Sequence, residues 1–516
     1  MNTIHILWAD DEIELLRPHI LFLESKGYQV TPVNNGKEAV QLCEKNKFDL
    51  VFLDENMPGI SGLEALLQIK NIQPSLPVIM ITKSEEEDIM EQAIGQKIAD
   101  YLIKPVNPSQ IIMSIKKVLK GNEIISQKTT SNYQMEFMRL SSQINDSMNS
   151  DDWKQVYNRL IFWEMELQQT GSAMNEMLQM QKTEANNLFV RFVKKHYENW
   201  WKNPDSKPVM SPDLFKTKVF PLLDAGKKVF FVLIDNLRLD HWKVMQNELA
   251  SLFQFDSDET FYSILPTATQ YSRNAIFSGL MPLQIKKMYP HLWVDEEEDE
   301  GKNLNEEALI QTQLDRFRKK YAFSYHKINT NGAGEKLNDS IKNLLQNPLN
   351  VVVFNFVDML SHARTEVKLF RELAPDEAAY RSLVLSWFKH SSIAEFFRIL
   401  AQQDVHIVLT TDHGSIRVKN PIKVIGDKNT NVNLRYKVGK NLAFDKKEVL
   451  AITNPDSCLL PSPNLSSTYI FAGNDDFIAY PNNYNYYVSY YKDTFQHGGI
   501  SLEEMIIPLV TMHPKK

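Results

Sequence analysis

Val229-Phe-Phe-Val-Leu-Ile-Asp235 is an uninterrupted apolar run that stops at a carboxylate. Its length predicts a buried strand rather than a helix that crosses a membrane. The arrangement recurs twice. Val351-Val-Val-Phe-Asn-Phe-Val-Asp358 ends in a second carboxylate, and His362 follows four residues on. A helical turn beginning there puts Asp358 and His362 on one face. His406-Ile-Val-Leu-Thr-Thr-Asp412-His413-Gly414 ends in an adjacent Asp and His, and His497-Gly498-Gly499 precedes an apolar return over Ser501–Val510. Asp235, Asp358, His362, Asp412, His413 and His497 are therefore six candidate metal ligands. Imidazole plus carboxylate suits Zn²⁺ or Mn²⁺ better than Ca²⁺.

The stretch Leu265-Pro-Thr-Ala-Thr-Gln-Tyr-Ser-Arg-Asn-Ala275 predicts a helix from about Gln270. Thr269 then lies at a helix N-terminus, where free N–H groups favour an anion such as a phosphoryl group. Six ligands plus Thr269 are enough for two ions about 4 Å apart, the clamp used for in-line displacement at phosphorus. Thr267 is the second candidate nucleophile. Arg273, one turn after Thr269, either contacts a phosphoryl oxygen or forms a structural ion pair. Asp240 and Trp242 read as packing residues.

This constellation resembles the alkaline phosphatase superfamily, and more closely its PglZ branch, over about residues 206–516. The resemblance rests on Asp235-Asn-Leu-Arg238-Leu-Asp240-His-Trp242, Pro266-Thr-Ala-Thr269-Gln-Tyr-Ser-Arg273-Asn274, Asp358-Met-Leu-Ser-His362, Thr411-Asp412-His413-Gly414 and His497-Gly-Gly499. It implies an alkaline-phosphatase-like α/β sandwich holding two Zn²⁺ ions. Asp358, His362 and His497 would take one ion. Asp235, Asp412 and His413 would take the other, with Thr269 as its nucleophilic ligand and Arg273 and Asn274 as substrate contacts. The Cys/Ser-x-Pro-x-Arg signature of sulfatases is absent.

Residues 1 to about 120 read as strands alternating with helices: Ile4–Ala9, Tyr28–Val33, Leu50–Leu53, Val78–Ile81 and Ala99–Ile103 as strands, Leu15–Lys26 and Glu38–Lys45 as helices. That alternation predicts a parallel sheet covered on both faces. Polar residues fall at the carboxyl ends of the strands, where such sheets bind ligands. Asp10, Asp11 and Asp54 would converge there, and three crowded carboxylates call for a hard cation such as Mg²⁺. The segment resembles a flavodoxin-like response-regulator receiver domain. By that resemblance Asp54 is the phospho-acceptor, Asp10 and Asp11 the acidic pair, Thr82 the switch hydroxyl, Tyr101 the aromatic switch, and Lys104-Pro105 the family's Lys with a cis-proline. It also implies phosphorylation by a sensor histidine kinase and dimerisation.

Gly121–Thr130 is polar and reads as a connector. From Ser131 to Trp201 there is no Pro and only Gly171, and apolar residues recur at three- and four-residue spacing through Met135, Met138, Ile144, Met148, Trp153, Val156 and Leu160. A bundle of three helices follows, with Ser150 or Asp151 as an N-cap and Gly171 as a stop. The methionines either fill a small core or form a partner-binding face. No helix carries the basic recognition face of a DNA-binding regulator.

The bulk numbers agree with this division. The 516 residues predict about three or four domains at about 150 residues each. A net charge of −7 argues against a protein that coats nucleic acid. Arg417–Lys447 is a local exception, a Lys-rich hairpin or lobe beside Asp412-His413 that either guides a phosphodiester or is simply solvated. Trp293–Gly301 reads as an acidic surface loop. No signal peptide or membrane span is visible, and the only cysteines, Cys43 and Cys458, read as free thiols of a cytoplasmic protein.

The expected architecture is thus multidomain α/β: receiver 1–122, helical bundle linker 123–205, PglZ-type domain 206–516. That order resembles the PorX-type response regulators of Bacteroidota type IX secretion. The resemblance implies zinc-dependent phosphodiesterase activity on cyclic and linear oligonucleotides. It also implies a sigma factor and secretion components as partners, and dimerisation on phosphorylation of Asp54. A non-catalytic signalling scaffold binding those same partners is the alternative.

Overall fold

A computed structural model describes residues 4–515 except 74–75, 84–97, 171–173, 296–301, 367–373, 375, 427–430, 463–465 and 480–483. The chain divides into two compact units, one built mainly from Met1–Asn132 and the other mainly from Tyr133–Lys516.

The first unit is a five-stranded parallel sheet. Its strands are β1 (Ile4–Ala9), β2 (Tyr28–Val33), β3 (Leu50–Asp54), β4 (Val78–Thr82) and β5 (Asp100–Ile103), in the order β2-β1-β3-β4-β5. Alternation along each strand divides the core between the two faces. Leu7, Ala9, Val51, Leu53 and Met80 pack with Ala39, Val40, Leu66 and Ile69 on one side. Ile6, Trp8, Phe52, Ile79 and Ile81 pack with Ile20, Ile111 and Ile115 on the other. The expected helix at Leu15–Lys26 is a 3₁₀ turn, Ile13–Leu16, followed by an α-helix, Arg17–Ser25. Pro18 explains the break, since it is tolerated only in a helix's first turn.

The connector expected over Gly121–Thr130 is instead helical, inside Pro108–Gln143. Most of its residues are polar, but it contains Ile124 and Ile125 and no proline, so only Gly121 disfavours a helix. The remaining linker helices are Ser150–Thr170 and Asn175–Lys202. The N-cap of the first is Asn149, whose Oδ1 accepts the backbone N–H groups of Asp151 and Asp152. The cap therefore lies one or two residues before the expected Ser150 or Asp151. The expected stop at Gly171 lies outside the described residues.

Residues of these helices, including Trp153, Leu160, Phe189 and Val193, share one continuous core with the strands of the second unit. Met148 is buried, whereas Met135, Met138 and Met180 are exposed. The methionines therefore do not all fill a core.

That second unit is organised on a six-stranded mixed sheet. Its strands are β6 (Val229–Ile234), β7 (Phe253–Tyr262), β8 (Phe323–Ile328), β9 (Leu349–Phe354), β10 (His406–Thr410) and β11 (Ile506–Pro514), in the order β7-β11-β10-β6-β9-β8. Strands β10, β6, β9 and β8 run parallel, so the ends of β6, β9 and β10 open at one edge. Strands β11 and β7 complete the sheet in antiparallel register.

Of the two readings of the basic segment Arg417–Lys447, hairpin or lobe, the described residues fit the lobe. Tyr436–Gly439 pairs with Thr468–Ala472, which also pairs with Val449–Ile452, in a small three-stranded lobe. Arg435 is fully buried there on Glu504, and Lys437 is buried with its Nζ on the Asn431 carbonyl, so the segment presents fewer surface cations than its composition suggests. The acidic run 296–301 and Lys428 lie outside the described residues.

Candidate metal centre

At the carboxyl end of the receiver sheet, Asp10, Asp11 and Asp54 bring carboxylate oxygens within 4.8 Å of one another. Lys104 Nζ lies 2.7 Å from Asp10 and 3.2 Å from Asp54. Burial pushes the Asp54 carboxyl up to about 6 against the pull of Lys104, with Asp10 adding to the rise. Asp54 Oδ1 is buried without a hydrogen-bond partner. Such an oxygen, among crowded carboxylates, fits a small hard cation. Thr82 closes β4, Tyr101 lies on β5, and the Lys104-Pro105 bond is cis.

The larger site forms where β6, β9 and β10 end. Asp235 follows β6 directly, and the chain then turns through Asn236 at φ 60°, a left-handed conformation that Asn tolerates. The turn lets Asn236 reach both carboxylates: its N–H donates to Asp412 Oδ1 at 3.4 Å and its Nδ2 donates to Asp358 Oδ1 at 3.2 Å, and to Ser361 Oγ at 3.2 Å. Strand β9 stops at Phe354, four residues short of the carboxylate expected at its end. Asp358 instead lies in the first turn of a helix, Phe356–Glu366, which puts His362 one turn further on, Nε2 3.4 Å from Asp358 Oδ2. Asp412 and His413 follow β10. His497 follows the short strand Phe495–Gln496, and its Nδ1–H donates to the Thr267 carbonyl at 3.1 Å.

The side chains gather into two groups, Asp235 with Asp412 and His413, and Asp358 with His362 and His497. The groups adjoin, because the His413 and His497 rings stack with centroids 4.1 Å apart. His497 Nε2 stands 3.7 Å from Asp358 Oδ1, and His413 Nε2 3.7 Å from Asp235 Oδ1. Burial raises the Asp235 carboxyl well above its usual range despite Arg273, and its Oδ1 has no hydrogen-bond partner. Burial opposes ionisation of Asp358 too, but His362, His497 and His413 together hold it low. Burial, then His413, pulls His497 down to about 3. Imidazoles beside buried, under-partnered carboxylates are a donor set that fits zinc-type cations.

Thr269 is the first residue of the helix Thr269–Ser278, after Ala268 in extended conformation. Its hydroxyl lies 3.0 Å from His413 Nε2. His413 Nδ1 lies 3.1 Å from the Gly414 carbonyl, which makes Nδ1 the donor and leaves the Nε2 lone pair facing Thr269. Thr267 differs sharply. It is fully buried, donates to the Gly499 carbonyl at 2.9 Å and accepts the Gly498 N–H at 3.0 Å.

The two residues expected to touch substrate turn inward. The Arg273 guanidinium is buried on Asp235, on Asp412 (Nε–Oδ2 2.9 Å) and on Glu306 (3.3 Å). Asn274 is 2% exposed and donates to the Lys302 carbonyl. Three neighbouring carboxylates, none legible as neighbours in the sequence, draw Arg273 into the interior.

Sequence reasoning also missed Asn236 and a buried ion network. Lys182 pairs with Glu164 at 2.6 Å, Glu164 with Arg381 at 2.7 Å, Arg381 with Asp240 at 3.0 Å, and Asp240 with Arg238 at 2.6 Å. Asp240 is therefore an ionic partner as well as a packing residue.

Receiver-type acidic pocket and phosphatase-type donor cage together define a response regulator with an alkaline-phosphatase-like output domain. The description "BREX system PglZ alkaline phosphatase-like domain" matches residues 214–512, more than half the chain, and the chain belongs to that family. "PorX response regulator linker domain" matches residues 123–201 and "Response regulator receiver domain" residues 6–116, an order that fits a PorX-type regulator.

The curated relatives match through the receiver. The transcriptional regulatory protein ResD of Bacillus subtilis is 33% identical over 119 residues, 23% of this chain and 49% of its own length. The alginate biosynthesis regulator AlgB of Pseudomonas syringae is 34% identical over 123 residues, 24% of this chain and 28% of its own. The chain thus spans half or less of these relatives. Among solved structures, a CheY-like receiver from Methanospirillum hungatei is 27% identical, covering 23% of this chain and 96% of that one, TM-score 0.23. TrrA from Thermotoga maritima is 29% identical, covering 23% and 100%, TM-score 0.21. No helix among the described residues is long and apolar enough to cross a membrane.

Proposed function

We propose that this protein is a phosphorylation-controlled, two-zinc phosphodiesterase. The observation that carries the reading is the Thr269 hydroxyl, 3.0 Å from His413 inside a cage of three carboxylates and three imidazoles. Asp358, His362 and His497 would hold one Zn²⁺, and Asp235, Asp412 and His413 the other. When bound, the ions lower the hydroxyl pKa of Thr269 and neutralise charge developing on phosphorus. Thr269 presents Oγ at the first turn of its helix, where backbone N–H groups face an anion. Oγ bonds to phosphorus as the bond to one alcohol breaks, the Thr269 proton passing by way of solvent to that departing alcohol, and water then cleaves the Oγ–phosphorus bond of the threonyl phosphodiester to release a phosphomonoester and restore the hydroxyl. Asn236 and Arg273 act one step back by holding Asp358, Asp235 and Asp412 in place.

The boundaries we assign are a receiver over 1–122, a linker over 123–205 and an output domain over 206–516. Phosphorylation of Asp54 by a sensor histidine kinase, with Mg²⁺ on Asp10 and Asp11, would engage Thr82, Tyr101 and Lys104 and favour a homodimer. The order of the three family matches supports a PorX-like setting in type IX secretion. There, cyclic or linear oligonucleotides are the substrates, and a sigma factor and secretion components are the partners.

Thr269→Val is the direct test. Zinc-loaded parent hydrolyses bis-p-nitrophenyl phosphate, and the variant, with the same zinc content by elemental analysis, falls to background. Equal hydrolysis by both proteins rules out the assignment.

A further inference from the structure

A second group of metal-type donors lies at the other end of the same sheet. Asp256 on β7, His406 at the start of β10 and His513 on β11 each offer one ligand atom, all within 4.8 Å of one another. Six residues of extended chain separate His406 from Asp412, about 20 Å at strand rise, so the group is remote from the Thr269 cage. We propose that Asp256, His406 and His513 form a separate transition-metal site that clips three adjacent strands together.

The strand pairing explains how three side chains meet. Ile407 pairs with Met512, so His406 and His513 stand opposite each other on antiparallel strands and share a face. Their rings lie 5.6 Å apart at 29°. Asp256 reaches them through a β-bulge. Thr511 pairs with Ser257 and Met512 with Phe255, which leaves Asp256 as the extra residue. A bulge re-aims the side chain of that residue. Here it carries the Asp256 carboxylate to 3.0 Å from His513 Nδ1.

The chemistry selects the occupant. Two imidazoles and one carboxylate suit Zn²⁺, Ni²⁺ or Cu²⁺ and discriminate against Mg²⁺ and Ca²⁺. Ligand atoms around tetrahedral Zn²⁺ stand roughly 3.3 Å apart, so closing the group needs only small side-chain rotations. All three residues have solvent access, which leaves the remaining coordination positions to water.

Equilibrium dialysis of the chelator-treated full chain against micromolar Zn²⁺ tests the site. The parent should retain one ion per chain more than His513→Ala, and more than Asp256→Asn, while both variants keep the parent's circular dichroism and diester hydrolysis. Replacing Zn²⁺ by Mg²⁺ should remove the difference. Equal ion counts in the parent and both variants overturn the site. They do so whether or not the Thr269 cage is catalytic, because that cage is identical in all three proteins.

Discussion

Replacing Thr267 by Val separates the two threonines near the cage. The hydroxyl of Thr267 is fully buried and makes two hydrogen bonds, to the Gly499 carbonyl at 2.9 Å and from the Gly498 N–H at 3.0 Å. Valine keeps the shape and removes both. Each buried backbone group left unpaired costs about 1–3 kcal/mol, so the variant should lose roughly 2–6 kcal/mol, less whatever the loop recovers by shifting. The loop carries His497, and Gly498 is already held at φ 121°, a conformation that favours glycine. Relaxation there should loosen the Asp358–His362–His497 group, lower zinc retention and reduce hydrolysis in proportion to the metal lost. Urea unfolding, elemental analysis and hydrolysis of bis-p-nitrophenyl phosphate follow the three quantities. Thr267→Ser, which keeps the hydroxyl, should restore all of them. If Thr267→Val abolished hydrolysis with stability and zinc unchanged, Thr267 would be the reacting hydroxyl and the assignment to Thr269 would fall.

Lys182→Met leaves Glu164 and Glu503 buried with one cation fewer, and should cost about 3–5 kcal/mol in urea unfolding. This difference depends on pH. Burial alone would raise the Glu164 pKa, but Lys182 and Arg381 hold it down to about 2. A depressed carboxylate contributes its stability above its unfolded pKa of about 4.5 and loses it as pH falls toward 2. Acid titration of parent and variant should therefore show their stabilities converging across that window, and a constant gap would contradict the pairing. Gly414→Ala places a Cβ 2.1 Å from the Glu503 carbonyl oxygen, a backbone atom that cannot swing aside. The variant should displace Asp412-His413 and lose both zinc and hydrolysis; retention of parent levels would show that the loop has room to move.

The sequence carried most of the receiver because its chemistry sits where strands stop, and strand ends are marked by apolar runs. Asp54, Thr82 and Lys104 close or follow β3, β4 and β5. Asp235, Asp412 and His413 of the output domain were legible for the same reason. What was not legible depends on pairing across the chain. The Phe354 stop of β9 cannot be told from Val351–Asp358, because the apolar run continues into a helix without a breaker. The inward turn of Arg273 requires Asp235, Asp412 and Glu306, which lie 38, 139 and 33 residues away in sequence. Thr267 and Thr269 have the same chemistry and nearly the same position. Only their partners, Gly498 and Gly499 for one and His413 for the other, set them apart.

Glu503 and Glu504 show why a cage of metal-type donors needs a buried frame around it. Consecutive residues in one short helix, they face opposite ways. Glu503 accepts from Asn186 at 2.9 Å and lies 3.5 Å from Lys182, both on the long linker helix Asn175–Lys202. Glu504 accepts the Gly499 N–H at 2.8 Å and pairs with Arg435 at 2.7 Å, while its carbonyl accepts the Gly414 N–H at 3.2 Å. One turn of backbone thus touches the linker, the loop of His497 and the loop of His413. Both carboxylates are at most 4% exposed, so any change that unpairs them leaves a charge in the interior. Packing alone would let those loops settle in several nearby arrangements. Hydrogen bonds with fixed direction hold the His413 and His497 rings in register, the preorganisation that the proposed pair of cations would require.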